Sequence, residues 1–483
     1  MTNGKLRTKA QKRSKASATI LVMVFSAIFT MVLIGLVRLT AEEYKAVNAK
    51  QAGQIAGDLA ESGLEYYEWF LSRFPGDYQD GTGAPGPYTH QIKDISNGQT
   101  LGSFTLSISP QQECGALQSL QIDSVGVSAK DGRFTRHLRG TLARPSVARF
   151  SYIIDTDVWA GASRQIIGPY HSNGGIRMDG TNNSLVTSAK NTWVCDSSFG
   201  CSPTQSKPGV FGAGPNSNLW NYPVDEKSFV SFAANFSELK NLARNHGGIY
   251  LHRFTGNYGN DRKGYELVFR DDGTVDVYRV TNSSATWGYR REYGYNYSGS
   301  FGWRRERNHI MHRHFQGRYT VPSACSVIFS QEKLWIKGTV KGKLAVVAAR
   351  PSGPYQPEVV LEGNLRYADS DGSDGITIIA QSYILIPEYS PNNMELNGIF
   401  VSQNGSFGRS FYNHNTRSHL TINGTVVSKD RVGTSWGCGS SGYFCSGYAH
   451  RVNSYDRFLR NDPPPFTPAL SDKYIYVKWS EEN

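Results

Sequence analysis

Residues 16–71 read ASATILVMVFSAIFTMVLIGLVRLTAEEYKAVNAKQAGQIAGDLAESGLEYYEWFL. The first part, Ala16 to Val37, runs 22 residues without a charge. As a helix rising about 1.5 Å per residue it would reach about 33 Å, enough to cross a bilayer core of about 30 Å. From Arg38 the helical pattern continues in polar form. Ala52, Ile55, Ala56, Leu59, Gly63, Tyr66 and Phe70 recur at helical spacing on one face. The stretch predicts one unbroken helix, half membrane span and half amphipathic.

The flanks orient it. Lys5, Arg7, Lys9, Lys12, Arg13 and Lys15 precede the span with no acidic residue among them, and Glu42 and Glu43 follow it. The positive-inside rule puts a basic leader, residues 1–15, in the cytoplasm and residues 38–483 outside an inner (cytoplasmic) membrane crossed once. A cleavable signal peptide is the competing reading. Its apolar region runs about 7–15 residues and ends at a small-x-small site. Here the run is longer and leaves through Val37, Arg38, Leu39 and Thr40. A retained anchor is the expectation.

At 483 residues the chain is long enough for two or three domains. Fifty glycines and few charges point to a β-rich extracytoplasmic protein with many tight turns. The net charge of +11 invites a nucleic-acid reading, but six of those charges belong to the leader. The remainder is ordinary for a solvated surface. Six cysteines on the outer side of a membrane favour disulfides, and fifteen pairings are open. Cys195 and Cys201 flank DSSFG, and Cys438 and Cys445 flank GSSGYF, both able to close as small loops. That choice leaves Cys114 with Cys325.

A Gly/Pro loop from Pro75 ends the helix. Gly102–Ser109, Leu117–Ser128 and Arg133–Arg144 then read as strands, the last two joined by a turn at Lys130-Asp131-Gly132. From Arg149 short apolar strands carry a recurring glycine: Gly338, Gly363, Gly398 and Gly424 lie 25, 35 and 26 residues apart. Imperfect repeats of this period predict a parallel β-helix, with an antiparallel sandwich as the alternative. Residues 204–330 interrupt the repeat and read as a small α+β insertion, with a capping box at Asn235-Phe-Ser-Glu238 opening a helix to His246. Tyr474–Trp479 reads as a closing strand or cap.

The basic leader, the span opening ATILVMVF and the segment AGDLAESGLEYYEWFL resemble the N-terminal region of type IV pilus assembly proteins of the PilX type. The K-type pseudopilin of general secretion is similar too. Ala60, Glu61, Ser62, Gly63 and Leu64 carry the family's small-residue pattern. The resemblance covers about the first seventy residues. It implies a membrane-anchored subunit whose partners are pilin or pseudopilin subunits and their assembly machinery. Common pilins carry Gly before the processed bond and Glu five residues into the mature chain. Processing after Ala18 would leave Ala and Met23 at those places, and Ala16–Val37 holds no acidic residue. By likeness to the K-type pseudopilin this implies a rare initiating or tip subunit. Further on, GPYHSNGGI (168–176), IKGTVKGKLAVVAA (336–349), SQNGSFG (402–408) and SYDRFLRNDPPPFTP (454–468) resemble an uncharacterised bacterial family fused to PilX-like anchors, which implies a β-solenoid.

The expected fold class is therefore mainly β. The transmembrane and amphipathic helix (16–76) and an antiparallel sheet (77–147) form a pilin-like α+β module. A parallel β-helix, or solenoid, with its insertion follows (148–483). Within Trp287–Tyr319 the residues Trp287, Arg290, Arg291, Trp303, Arg304 and Arg305 are candidates for binding surface polysaccharide or DNA, because stacking rings beside cations suit both. A twisted hairpin with rings paired across strands and solvated arginines is the favoured competitor. His309, His312 and His314 read as scattered histidines before they read as a metal set. Asp369, Asp371 and Asp374 resemble a calcium loop, but a polar turn is favoured. No nucleotide loop is present in the sequence, no nucleophile elbow stands out, and no cofactor is implied. The reading is of an interaction protein, with a carbohydrate-active enzyme third.

Overall fold

A computed structural model describes residues 14–229, 234–254, 263–294, 297–438 and 443–482. The basic leader up to Arg13 lies outside the described residues, as do the side chains of 14–17 and 291–300. The chain is mainly β with one long N-terminal helix. It forms two compact units that do not follow chain order. Of the described residues, one comprises those within 14–108, 122–140 and 479–482, and the other those within 109–121 and 141–478. Four strands run through both, so the division does not fall at a single point near residue 147.

In the first unit, helix α1 spans Ser14–Arg73 without a break. Among the described residues it is the one helix long and apolar enough to cross a membrane. Its side chains from 18 to 47 are exposed, apolar ones included. From Ala52 onward it buries a face of Ala52, Ala56, Leu59, Ala60, Gly63, Leu64, Tyr67, Phe70 and Leu71. Ile55 and Tyr66, expected on that face, sit half-buried at its rim. The face packs on a sheet ordered Tyr88–Lys93, Thr100–Glu113, Ala116–Ser128, Thr135–Ala143 and Ile475–Glu482. Tyr88, Phe104, Leu106, Ile122 and Leu138 are its buried apolar residues in this unit. The C-terminal strand, read as a closing strand or cap, takes a sheet edge. Glu481 pairs with Arg136 at 2.9 Å, and Arg139 bridges Asp123 at 2.7 Å and Glu482 at 3.4 Å.

The small residues of α1 have a packing reason. Gly126 lies so close beneath the helix that a Cβ there would stand 2.0 Å from the Ala56 carbonyl oxygen and 2.6 Å from the Ala60 nitrogen. Alanine at 56 and 60 and glycine at 126 together permit that approach.

The second unit is built from parallel ladders. The longest runs, in spatial order, through Ile249–Leu251, Val327–Ser330, Lys343–Ala348, Gly375–Ala380, the 399–402 part of Asn393–Ser402, the 425–428 part of Thr416–Ser428, Tyr152–Ile154, Tyr170–Ser172, Val186–Ser188 and Trp220–Asn221. The first strand reached by the chain therefore sits mid-stack, against one of the last. A second ladder aligns Leu334, Val359, Ile384 and Phe407. A third aligns Gly338, Leu365, Leu396, Ile422, Asn453, Ile166 and Asn182. Residues 327–348 visit the first, second and third ladders in turn and return to the first.

Inward columns of the three ladders, such as Ile328, Val346, Ile378, Phe400 and Val426 with Ile336, Leu361, Leu396, Ile384 and Phe407, share one core. The outer face of the longest ladder is apolar too. Phe329, Val347, Ile379, Val401 and Val427 are covered by Val147, Ala148, Leu459 and helix α2 (Phe236–Asn245). The predicted capping box starts α2: the Asn235 side-chain oxygen Oδ1 accepts from the Glu238 N–H at 3.1 Å. The stretch 204–330 does not stand apart, because Ile249–Leu251, Gly264–Phe269 and Val327–Ser330 occupy places in the ladders.

The recurring glycines mark where one strand passes between ladders. Gly398 and Gly424 lie in register with φ of 148° and 143°, between the parts of their strands that serve the third and first ladders. A Cβ on Gly424 would sit 1.8 Å from the Gly398 oxygen. Backbone in this region favours glycine, and the close approach demands it.

Gly126→Val is expected to lose about 1–3 kcal/mol of stability by overpacking α1 against the sheet. Amide hydrogen exchange on the detergent-solubilised full chain should show lost protection at 122–128 and in α1 from Ala52. Unchanged protection would speak against this packing account.

Candidate ligand-binding face

The aromatic and basic patch lies on a long antiparallel hairpin, Thr274–Gly294 with Tyr297–Thr320. The preceding turn is locally encoded: the Asp272 carboxylate accepts from the Thr274 N–H at 3.0 Å and Gly273 has φ of 83°. Strand alternation then sorts the patch into two faces. Trp287 stands opposite Arg305 and Tyr289 opposite Trp303 on one face. Gly288 opposite Arg304 and Thr286 opposite Glu306 lie on the other, with Arg290.

On the outer face the rings form one cluster. Tyr289 lies 5.6 Å from Trp303 and 5.8 Å from Phe301. Phe411 lies 5.8 Å from Trp303, and Trp436 lies 6.2 Å from Phe411 and 6.3 Å from Tyr289. Paired backbone bonds of 3.0 Å between Tyr289 and Phe411 dock the hairpin there. Trp287 is 60% exposed and Trp303 48%, and the Arg305 guanidinium stands 6.0 Å over the Trp287 ring. Exposed indole faces beside a cation can stack planar or ring-shaped ligands.

The inner face anchors the hairpin. Buried Glu306 accepts from the Tyr412 hydroxyl at 2.5 Å and from the Ser410 hydroxyl, and lies 3.5 Å from Arg290. Arg290 stacks on Tyr383 at 4.4 Å. Burial, then Glu306, pushes the Tyr412 hydroxyl well up. Lys333, fully buried, donates to Glu358 at 2.6 Å, the Asn308 side chain at 2.8 Å and the Arg307 carbonyl at 3.0 Å. Burial pushes Glu358 up, but Lys333 and Arg290 outweigh it and hold the carboxyl below its ordinary value.

The six candidates therefore separate. Trp287, Trp303 and Arg305 share the open face. Arg290 turns inward to Glu306 and is not a solvated arginine, and Arg304 is half-buried on the inner face. The Arg291 side chain lies outside the described residues. The rings pair across strands as the hairpin reading expected. Phe411 and Trp436 were missed, since nothing local ties them to residue 287. Glu306 left a signal: it is the lone acid in WRRERNH, flanked by arginines it could pair with.

Elsewhere, His309 packs on Tyr389 at 4.6 Å, and among the described residues no three acidic, His or Cys side chains form a metal-holding group. The calcium candidate is a turn. Asp374 accepts from the Gly342 and Asp369 N–H groups at 2.6 Å each, and Asp371 accepts from the Ser373 N–H at 2.9 Å. Asp369 and Asp374 also line a cavity of about 360 Å³ with Tyr367, Asn397, Asn423 and Asp456. The disulfides are Cys195–Cys201, Cys438–Cys445 and Cys114–Cys325.

A buried carboxylate pair went unread. Glu266 and Glu362 both lie 2.8 Å from Lys337, and Arg313 reaches Glu266. Burial and the neighbouring Glu266 push Glu362 up to about 7, while Glu266, held by its donors, settles below its ordinary value. Glu362 thus keeps its proton in the folded chain to about pH 7 but releases it near pH 4.5 once unfolded. Its stabilisation is complete below about pH 4.5 and is lost as pH rises through about 7. Urea midpoints of the full chain should fall across that window, and Glu362→Gln should flatten the slope. An unaltered slope in the variant would count against this assignment.

No family model matches the chain, and no curated protein matches it. Among solved structures, the crystal structure of the competence-associated pilin ComZ from Thermus thermophilus aligns with 89% of this chain and 97% of that one, at 10% identity and a TM-score of 0.31.

Proposed function

We propose that the chain is a minor pilin or pseudopilin-like subunit, anchored in the inner membrane by α1, that displays an extracytoplasmic parallel β-helix in a type IV pilus or secretion assembly. Its partners are pilin or pseudopilin subunits and the assembly machinery, and no catalytic residue is assigned. The observation that carries the reading is α1 itself. One continuous helix leaves an apolar N-terminal stretch exposed and packs its C-terminal stretch on a sheet. Apolar side chains in that number left in water would be costly, so they call for a bilayer or other helices. The β-helix reading is supported by parallel ladders that the chain visits in a repeating order around one core.

The full chain is expected in the membrane fraction, and immunogold labelling should mark filament tips or initiation complexes. Regular labelling along the shaft would overturn the minor-subunit reading. So would undiminished filament formation with Met23→Glu as the only copy, if native assembly depends on the missing charge.

A second reading, a surface module that binds polysaccharide or DNA, rests on the open face of Trp287 and Trp303. Each stacked base or sugar is worth about 1–3 kcal/mol. The double variant Trp287→Ala/Trp303→Ala should therefore weaken binding at least tenfold in a fluorescence titration with single-stranded DNA or capsular polysaccharide. Equal binding by variant and parent would dismiss this face.

A further inference from the structure

In the third ladder Met394, Leu420, Arg451 and Arg164 follow one another in register. Two apolar side chains give way to two arginines on adjacent strands. Both point inward: Arg164 is 3% exposed and Arg451 7%. They also sit at the seam of the stack. Arg451 belongs to Tyr443–Ser454 and Arg164 to Arg164–Ile167, the strands that join the last part of the chain to the first.

Among the described residues neither arginine has an ion-pair partner, and their acceptors are neutral hydroxyls. A guanidinium has five N–H groups. Arg164 donates to Tyr152 Oη and Thr434 Oγ1, each at 3.0 Å. Arg451 donates to Ser163 Oγ at 2.5 Å. The Nε of each is buried without an acceptor, and so is the hydroxyl of Tyr170, a wholly buried residue. Tyr170 belongs to the same cluster, because its ring stands edge-on to Tyr152 at 5.2 Å.

Two other buried cations of this unit meet carboxylates: Lys333 meets Glu358 at 2.6 Å and Arg350 meets Glu332 at 2.9 Å. Burial and the adjacent Arg164 push the Arg451 guanidinium down to about 9, so it stays protonated at neutral pH. Two adjacent buried positive charges need a counter-charge.

We propose that Arg164, Arg451 and Tyr170 bind a small inorganic monoanion of the chloride class within the seam of the stack. Adjacent strands stand about 4.8 Å apart, which brings the two in-register guanidiniums within reach of one small ion. N–H, O–H and the positive edges of aromatic rings are the donors such an ion takes. Bound there, it would tie the two halves of the ladder together.

Bromide is the probe. Crystals of the full chain grown in sodium bromide should show an anomalous peak in contact with both guanidiniums. In detergent, the melting midpoint should rise with bromide against sodium gluconate at constant ionic strength, following the logarithmic law of a site that exists only in the folded state. Arg451→Leu, which continues the Leu420 column, should lose the bromide dependence. An ordered water in place of the peak, or equal midpoints in the two salts for the parent chain, would overturn the proposal. Should Arg451→Leu not fold, the parent crystals and salt series still decide it.

Discussion

The second unit depends on one backbone junction. Val426–Ser428 pairs in parallel with Tyr152–Ile154. The Val426 N–H donates to the Ser151 carbonyl at 3.0 Å and the Asp155 N–H to the Ser428 carbonyl at 3.1 Å. Without this junction and the Arg451–Ser454 to Arg164–Ile167 pairing beside it in the third ladder, the unit would be two shorter stacks, each presenting an unpaired strand edge. Such edges template association with other chains. The junction closes a loop of over 270 residues, whose entropy cost grows only slowly with length. It is nonetheless a contact that can form only when both halves are in place, a topology that folds slowly.

The two units solve burial differently. In the first, a helix reaches a sheet closely because Ala56, Ala60 and Gly126 remove the side chains that would hold them apart. In the second, each rung buries the apolar side chains of its neighbours, and in-register glycines let the strand pass between ladders. Small residues thus serve close approach in one unit and direction change in the other.

Charge is distributed with equal economy. The hairpin from 274 to 320 looks predominantly basic in sequence, yet its inner face is tied down by Glu306 and by the Lys333–Glu358 pair. Removing one partner of such a buried pair costs far more than the pair contributes, because the other charge is left stranded. The inner face is thereby anchored, and Trp287 and Trp303 stay exposed on the outer one.

Local chemistry made several features legible from the residues alone. The long helix follows from its apolar run and the face after it. The α2 start follows from a capping box, and the two short disulfide loops from their spacing. The glycine corners follow from their recurrence among apolar strands. Each depends on residues near one another in sequence. Tertiary structure alone decided the rest. The order of rungs, with Tyr152 mid-stack, is set by which strand edges remain open once the others have paired. Strand alternation put Arg290 opposite a glycine, but only Glu306 and packing on Tyr383 made it an inward arginine. Phe411 and Trp436 joined the open face from more than a hundred residues away. Arg451 and Arg164 became neighbours through a parallel register that no short-range pattern encodes, because backbone pairing between distant strands carries no sequence signature of its own.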